Sequence, residues 1–475
     1  MRNLYFLFFF SFLSPVFSQS QDSVLHRKNE KVKAFFSLKD SDTLRERHTL
    51  TTAEEPFPEK RKKWDLDWSG FISFDMFWDT RKPVESRDGG IYLYPANVFL
   101  DKNGKDIHGH ASFNFVAMNT RLTLKIQAPE ALGAKVSGMI EGWFMGISNN
   151  DMNGFALRHA LIKMAWRSTQ LLVGQTWHPL FTEQMFAYTV AGSAGAPFQP
   201  FARVPQIRVT QKLAKNHFLL LYLNAQRDLL GVGPNGASAE YLRQSALPEM
   251  GAQYIFDLQT KESDDNSKHR IYAGLGFNFK RIIPRLITAD GVATQKGLNS
   301  YSGLAFFHYE NQINKQLKTG FKLKGVFLQN SYEYLMIGGY GIKEYDKNSA
   351  DLDYNVDFDY TNWNTVSCWG DFYLNYRSWE VGLFGGYCQN LGSFLPVQAY
   401  KNPAYYYVRV VNADFMYRLS LRLKYTANKL QFCLEPEYTS AVYGTSLTKK
   451  GKIDTAEPTH RVHNLRLLVS TVLYF

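Results

Sequence analysis

From Trp64 onward one unit recurs: a strand-like run, a connection, another run. Sixteen such runs lie near 66–78, 111–127, 133–147, 154–166, 169–176, 204–214, 216–226, 248–260, 268–280, 298–312, 315–328, 364–376, 379–388, 408–425, 428–440 and 459–475. The connections between them sort by length. Those after even-numbered runs are short: "PEALG" (129–133), "RST" (167–169), "KN" (215–216), "KESDDNS" (261–267), "IN" (313–314), "RS" (377–378) and "AN" (427–428). Those after odd-numbered runs are mostly long: 79–110, 177–203, 227–247, 281–297, 329–363, 389–407 and 441–458, with 148–153 breaking the rule. In an antiparallel sheet this puts every short turn at one end and the long loops at the other, the pattern of an outer-membrane barrel. A soluble β-sandwich has no reason to sort its loops this way. The chain is therefore expected to be all-β: a 16-stranded antiparallel transmembrane β-barrel over 64–475, with both termini on the short-turn, periplasmic side.

The runs carry the alternation that a bilayer demands. Backbone polar groups must be paired all round, so the sheet closes, and only its outer face need be apolar. In "RLTLKIQA" (121–128), Leu122, Leu124 and Ile126 share one face, and Arg121, Thr123, Lys125 and Gln127 the other. In "HRIYAGLGFNFK" (269–280), Ile271, Ala273, Leu275, Phe277 and Phe279 face lipid, while Arg270, Tyr272, Asn278 and Lys280 face inward. "YRLSLRLKYT" (417–426) turns Arg418, Ser420, Arg422 and Lys424 inward. Aromatics reach 15% while mean hydropathy is −0.30, and no run of eighteen apolar residues follows residue 20, which suits a barrel better than a helical membrane protein. Trp64, Trp68, Trp78, Trp166, Tyr376 and Tyr474 fall near strand ends, as interfacial girdles do. The last run, "LLVSTVLYF" (467–475), is expected to close against "LDWSGFISFDMFWD" (66–79). A terminal strand ending in Phe475 resembles the signal read by barrel-assembly machinery, an expected partner during insertion, and outer-membrane lipids are expected around the barrel.

"MRNLYFLFFFSFLSPVFSQS" reads as a signal peptide, 1–18: a basic start, an apolar core too short to span, and small residues before Gln19. Residues 19–63 are polar and charged without a sustained heptad, and are expected to be a flexible periplasmic segment. Cys368 and Cys388 should lie on adjacent strands but opposite faces, which disfavours a bridge, and with Cys433 they read as packed thiols. Net charge is +11. Nucleic acid is not an expected partner of an exported barrel; anionic solutes and lipid phosphates are.

Sixteen strands enclose a space wide enough for water. Inward bases read from the alternation are Arg121, Lys125, Lys135, Arg208, Arg270, Lys280, Lys322, Lys324, Arg418, Arg422, Lys424 and Arg466. Inward acids are Asp67, Asp75, Glu141, Asp257, Asp371, Glu435 and Glu437. A basic excess inside a low-dielectric wall concentrates anions; the alternative is that bases and acids pair and merely brace the barrel. Segment 177–203, "WHPLFTEQMFAYTVAGSAGAPFQPFAR", is aromatic, rich in small residues and poorer in charge than its sister loops. It is expected to pack, either into the lumen as a constriction with Arg203 near the narrowest part, or against a neighbouring subunit.

"FALRHALIKM" (155–164), "LLVGQTWHPL" (171–180) and "RVPQIRVTQKL" (203–213) resemble the DcaP-like porins, relatives of the phosphate-selective porins, over roughly 135–225. The resemblance implies a homotrimer passing small anionic solutes, and a Gram-negative source with Bacteroidota among the candidates. It also implies that Arg158, Arg203 and Arg208 line the pore. In "FALRHALIKM" the alternation is poor, since Arg158 shares a face with Ile162 and Met164 while His159 and Lys163 take the other. The candidate pore-lining set is Arg121, Lys125, Arg158, Arg203, Arg208, Arg270, Arg418 and Arg422.

"DLDYNVDFDY" (351–360) alternates acids and reads as an acidic hairpin, with a calcium site as the alternative; "HGH" (108–110) lacks a third metal ligand. No nucleophile elbow or HExxH occurs, and no cofactor or covalent chemistry is expected. The function expected is passive diffusion of small hydrophilic solutes, anions preferred. The rivals are an outer-membrane enzyme of lipase or protease type, and a closed barrel acting as an adhesin or assembly partner, which a plugged lumen would favour.

Overall fold

The computed structural model describes residues 63–475 apart from 191, 262–267, 346–354 and 399–405. The expected signal peptide (1–18), residues 19–62, most of the "KESDDNS" turn and Asp351 to Tyr354 therefore lie outside the described residues. Sixteen antiparallel strands form one closed sheet. They are β1 (Asp65–Asp79), β2 (Ser112–Val116 and Arg121–Gln127), β3 (Lys135–Trp143), β4 (Ala156–Ala165), β5 (Thr169–Trp177), β6 (Arg203–Ala214), β7 (His217–Asn224) and β8 (Glu249–Lys261). Then follow β9 (Lys268–Ile282), β10 (Leu298–Gln312), β11 (Leu317–Gln329), β12 (Asn364–Tyr376), β13 (Trp379–Gly392), β14 (Ala413–Ala427), β15 (Leu430–Gly444) and β16 (Thr459–Tyr474). Each pairs with its neighbour in sequence, and β16 returns to β1 in a register running from Phe71 opposite Tyr474 to Asp79 opposite Arg466.

Closure extends to the last residue. Phe475 and Gly70 exchange backbone hydrogen bonds of 3.1 and 3.2 Å. A Cβ on Gly70 would lie 2.7 Å from the Phe475 ring and 2.4 Å from the Arg121 carbonyl, so only glycine fits under the terminal aromatic.

Alternation decides the two faces. Along β1, Ile72, Phe74 and Trp78 are exposed on the outer face while Ser73, Asp75, Phe77 and Asp79 are buried inside. Trp64, Trp68, Trp78 and Tyr376 are exposed, as a girdle requires. Among the described residues no helix is long and apolar enough to cross a membrane; a barrel crosses with strands. Cys368 points out and Cys388 in, on neighbouring strands β12 and β13, and both are free thiols.

Three strand expectations shift. The run 111–127 is broken at 117–120, where the Thr120 hydroxyl accepts the Ser73 amide (3.2 Å) in place of a ladder bond. The exceptional short connection 148–153 is longer, because β3 stops at Trp143 and β4 starts at Ala156. Residues 408–412 do not belong to β14: Tyr406–Arg409 pairs with Gly338–Ile342, which also pairs with Tyr360–Asn362, as a separate three-stranded sheet among the long connections.

The core sits inside the barrel. Leu180, Phe181, Met185, Phe198 and Phe201 from the connection after β5 form one buried apolar cluster with Ile91 and Leu93 after β1, with Tyr334 to Ile337 after β11, and with inward wall residues such as Phe77, Trp143, Phe306, Trp369 and Phe384. Three long connections thus turn inward. Their apolar composition gives the reason: exposed to water they would forfeit this burial, at about 25 cal/mol per Å2 of apolar surface.

Candidate functional site: an inward loop and an arginine cluster

The described residues of 178–202 run across the inner wall and are tied to it by hydrogen bonds. Gln253 on β8 donates to the Pro179 carbonyl (2.8 Å). The Lys324 ammonium on β11 donates to the carbonyls of Leu180 (2.7 Å) and Phe181 (2.6 Å), and Lys322 to that of Phe186 (2.7 Å). On β12, Asp371 accepts the Tyr188 amide (2.9 Å) and Ser367 donates to the Phe198 carbonyl (2.8 Å). On β14, Lys424 donates to Tyr188 and Arg418 to Ala196, each at 2.9 Å. Glu435 on β15 accepts the Val190 amide (2.6 Å). Side chains that alternation turns inward therefore meet backbone groups that a loop inside a barrel would otherwise leave unpaired. Folding of segment 177–203 into the lumen is the arrangement found.

At the two ends of this loop, arginines gather around Trp143. The guanidinium carbons of Arg158 and Arg203 lie 4.2 and 4.4 Å from its ring centroid, those of Arg87 and Arg121 5.2 and 5.7 Å away. Two carboxylates oppose these four cations. Glu141 holds Arg158 at 2.6 Å; Asp228 holds Arg203 at 2.8 Å and Arg87 at 3.1 Å. Burial alone would raise the Asp228 carboxyl, but Arg203 and Arg87 outweigh it and hold the group below its ordinary range. The Arg87 Nε and Nη1 and the Arg203 Nη1 are buried without a hydrogen-bond partner.

A β-bulge brings Arg158 here. Glu141 pairs with His159 and Gly142 with Leu157, leaving Arg158 extra on β4. The bulge flips the alternation, so Arg158 points inward before it and Leu161 and Lys163 after it, while Ile162 stays outside. That explains the poor alternation in "FALRHALIKM". Past the bulge, Gly174 on β5 opposite Leu161 must be glycine: φ is +133°, and a Cβ there would lie 2.2 Å from the Ala160 carbonyl.

The remaining candidates divide. Arg121 lies inside between Trp143 and Phe71, 5.1 Å from the latter ring, and Lys125 opposes Asp67 on β1 near the short-turn end. Arg208 donates to the Trp177 carbonyl (3.0 Å) and lines a cavity of about 70 Å3 with Lys163, Glu183 and Tyr272. Arg270 makes two 2.9 Å bonds to Asp257. Two candidates need correcting as pore-lining groups. Arg418 is buried between the Leu93 carbonyl (2.8 Å), the Ala196 carbonyl and Glu437 (3.2 Å); Arg422 is buried between Asp371 (2.6 Å) and Glu380 (3.1 Å). The inward loop covers this side of the wall, so they brace it rather than face open lumen. Lys322, Lys324 and Lys424 likewise hold the loop, and Arg466 pairs with Asp79 (2.9 Å). A simple count of twelve bases against seven acids therefore overstates the charge offered to a solute.

Arg87 and Asp228, central to the cluster, sit in long connections where no periodicity marks a direction. Among the described residues no group of three His, Cys, Asp or Glu could hold a metal ion. Asp357 accepts from Thr294, and Asp359 pairs with Lys296 at 3.0 Å, so these two acids of the 351–360 stretch have partners in the connection after β9.

Fold and site together define a sixteen-stranded porin-type barrel with an inward-folded loop. No protein-family model matches the sequence, and no curated protein does. Solved structures match. The outer-membrane channel DcaP of Acinetobacter baumannii is similar over 88% of this chain and 99% of its own, at 16% identity and a TM-score of 0.56. An anion-selective porin from Comamonas acidovorans aligns over 87% of this chain and 100% of its own, at 9% identity and a TM-score of 0.46. OmpT of Vibrio cholerae aligns over 88% and 100%, at 10% identity and a TM-score of 0.43. The first of these likenesses shows a shared porin fold.

Proposed function

We propose that the chain is an outer-membrane channel for passive diffusion of small hydrophilic solutes, anions preferred, working as a homotrimer without covalent chemistry. The observation that carries the anion preference is the cluster at Trp143, where four guanidinium groups meet two carboxylates beside the loop that narrows the lumen. Arg87, Arg158 and Arg203 are as buried and as ion-paired as Arg418 and Arg422, so the cluster acts on solutes through its net field and not by contact. Charge fixed in a low-dielectric wall acts at longer range than the same charge in water, which favours entry of anions. The apolar filling of the lumen supports a second reading, a closed barrel whose long connections engage a partner.

Proteoliposome swelling separates the two. An anionic, a neutral and a cationic solute of matched size are expected to enter in that order of rate. Arg203→Ala, which removes one cation from the cluster, is expected to bring the anion and neutral rates together. Faster entry of the cation would contradict the anion preference, and no swelling with any solute would favour the closed barrel.

A further inference from the structure

The two ends of the inward loop are fastened at one buried point. The His178 amide donates to the Ala202 carbonyl and the Phe201 amide to the Tyr334 carbonyl, each at 2.9 Å. His178 itself is 1% exposed. Its Nδ1 accepts the Leu180 amide at 3.0 Å, capping the short turn that carries the loop into the lumen. Its Nε2 lies 3.2 Å from Glu249 on β8. The same Glu249 oxygen accepts the Tyr334 hydroxyl (2.5 Å) and the Asn278 amide (2.7 Å). One carboxylate thus joins the start of the loop, through His178, to the segment that receives its end, through Tyr334.

This arrangement admits one protonation state of the imidazole. Because Nδ1 accepts a backbone N–H, it carries no proton, so Nε2 carries the proton and donates to Glu249. The Asn224 Nδ2 lies 2.9 Å from the same nitrogen; turning that amide over brings its otherwise unpartnered oxygen there, where it shares the one Nε2 proton with Glu249. A second proton on the ring would set two donors against each other at the 3.0 Å Nδ1–Leu180 contact. The imidazolium keeps its attraction to Glu249, so the Leu180 side gives way. The other groups facing this point do not reverse that sign. Tyr222 on β7 and Tyr334 are neutral phenols, ring-packed on His178 at 6.1 and 5.2 Å. Lys280 on β9 is engaged by Glu333, and Arg208 on β6 by Gln206 and the Trp177 carbonyl.

We propose that His178 and Glu249 form an acid-released clasp on the inward loop: the closed clasp requires an unprotonated Nδ1, and protonation there frees the turn at Leu180. The clasped state binds one proton fewer, so it is complete at high pH and lost as pH falls. Its effect on conduction rests on the channel reading above; the clasp itself does not.

The test has two readouts. Single-channel current is recorded at about pH 7.5 and about pH 5. The wild-type chain is expected to show one conductance level at the higher pH and a second at the lower. In His178→Asn the side-chain oxygen takes the Leu180 amide, as a capping asparagine does, and cannot be protonated. That variant is expected to lose the second level, whereas His159→Gln and His308→Gln keep it. Hydrogen exchange over residues 178–186 of the wild-type chain, corrected for the intrinsic effect of pH, is the second readout and needs no variant. Loss of protection at Leu180 in acid supports the clasp; protection equal at both pH values, with one conductance level throughout, overturns it. A chain that conducts at neither pH removes the channel reading, and the exchange at Leu180 then decides the clasp alone.

Discussion

Replacing residues 183–199 with a short glycine linker is expected to raise single-channel conductance by roughly three-fold or more, because sixteen strands without their filling leave an aqueous channel. These residues supply Met185 and Phe198 to the packed interior and lie against β11 to β15. Their removal also releases groups now bound to the loop backbone: Lys322 from Phe186, Lys424 from Tyr188, Arg418 from Ala196, and the carboxylates Asp371 and Glu435. Arg418, Lys424 and Asp371 keep their ion-pair partners Glu437, Glu380 and Arg422, so the released groups add little net charge and selectivity is expected to stay as the cluster at Trp143 sets it. Planar-bilayer recording of the variant beside the wild type checks both effects. Unchanged conductance would mean that the connection after β1, where Pro83–Ser86 pairs with Ile91–Pro95, or the segment 330–337, not this loop, sets the narrowest point.

The second large effect concerns stability. Arg422→Ala is expected to cost about 3–5 kcal/mol, the usual penalty for removing one member of a buried ion cluster. Its guanidinium is fully buried between Asp371 and Glu380, and Gly382 leaves it room, since a Cβ there would lie 2.2 Å from the guanidinium carbon. Without it two carboxylates stay inside the wall with Lys424, 3.6 Å from Glu380, as the nearby cation. Arg422→Lys restores a charge but not the planar fork that reaches both acids, and is expected to recover only part of the loss. A denaturant midpoint read from the heat-modifiable gel mobility of the folded barrel measures this. A cost below about 1 kcal/mol would show that water reaches and solvates these acids, as at exposed ion pairs.

The barrel was legible in the sequence because its constraints are local. A two-residue period shows in "HRIYAGLGFNFK" without reference to any other strand, and a turn as short as "KN" (215–216) forces its flanking strands to be neighbours. That the loop packs was legible for a related reason: 177–203 is too apolar to lie in water, though its composition suited a subunit contact as well as the lumen. The site was less so. Arg158 reads as out of phase because a bulge inserts one residue, and nothing in the composition of "FALRHALIKM" marks the insertion. Arg418 and Arg422 were placed on the right face but given an open lumen, since alternation sets direction and is silent on what fills the space. Arg87 meets Asp228 across 141 residues, a pairing set by the return of two long connections to one spot and recorded in neither of them.

The most direct test is the reversal potential of the purified wild-type protein in a planar bilayer under a salt gradient. The arginine cluster predicts stable conductance with a reversal potential on the anion-selective side. A cation-selective potential would contradict the role given to Arg87, Arg158 and Arg203, and an electrically silent bilayer would contradict the channel itself.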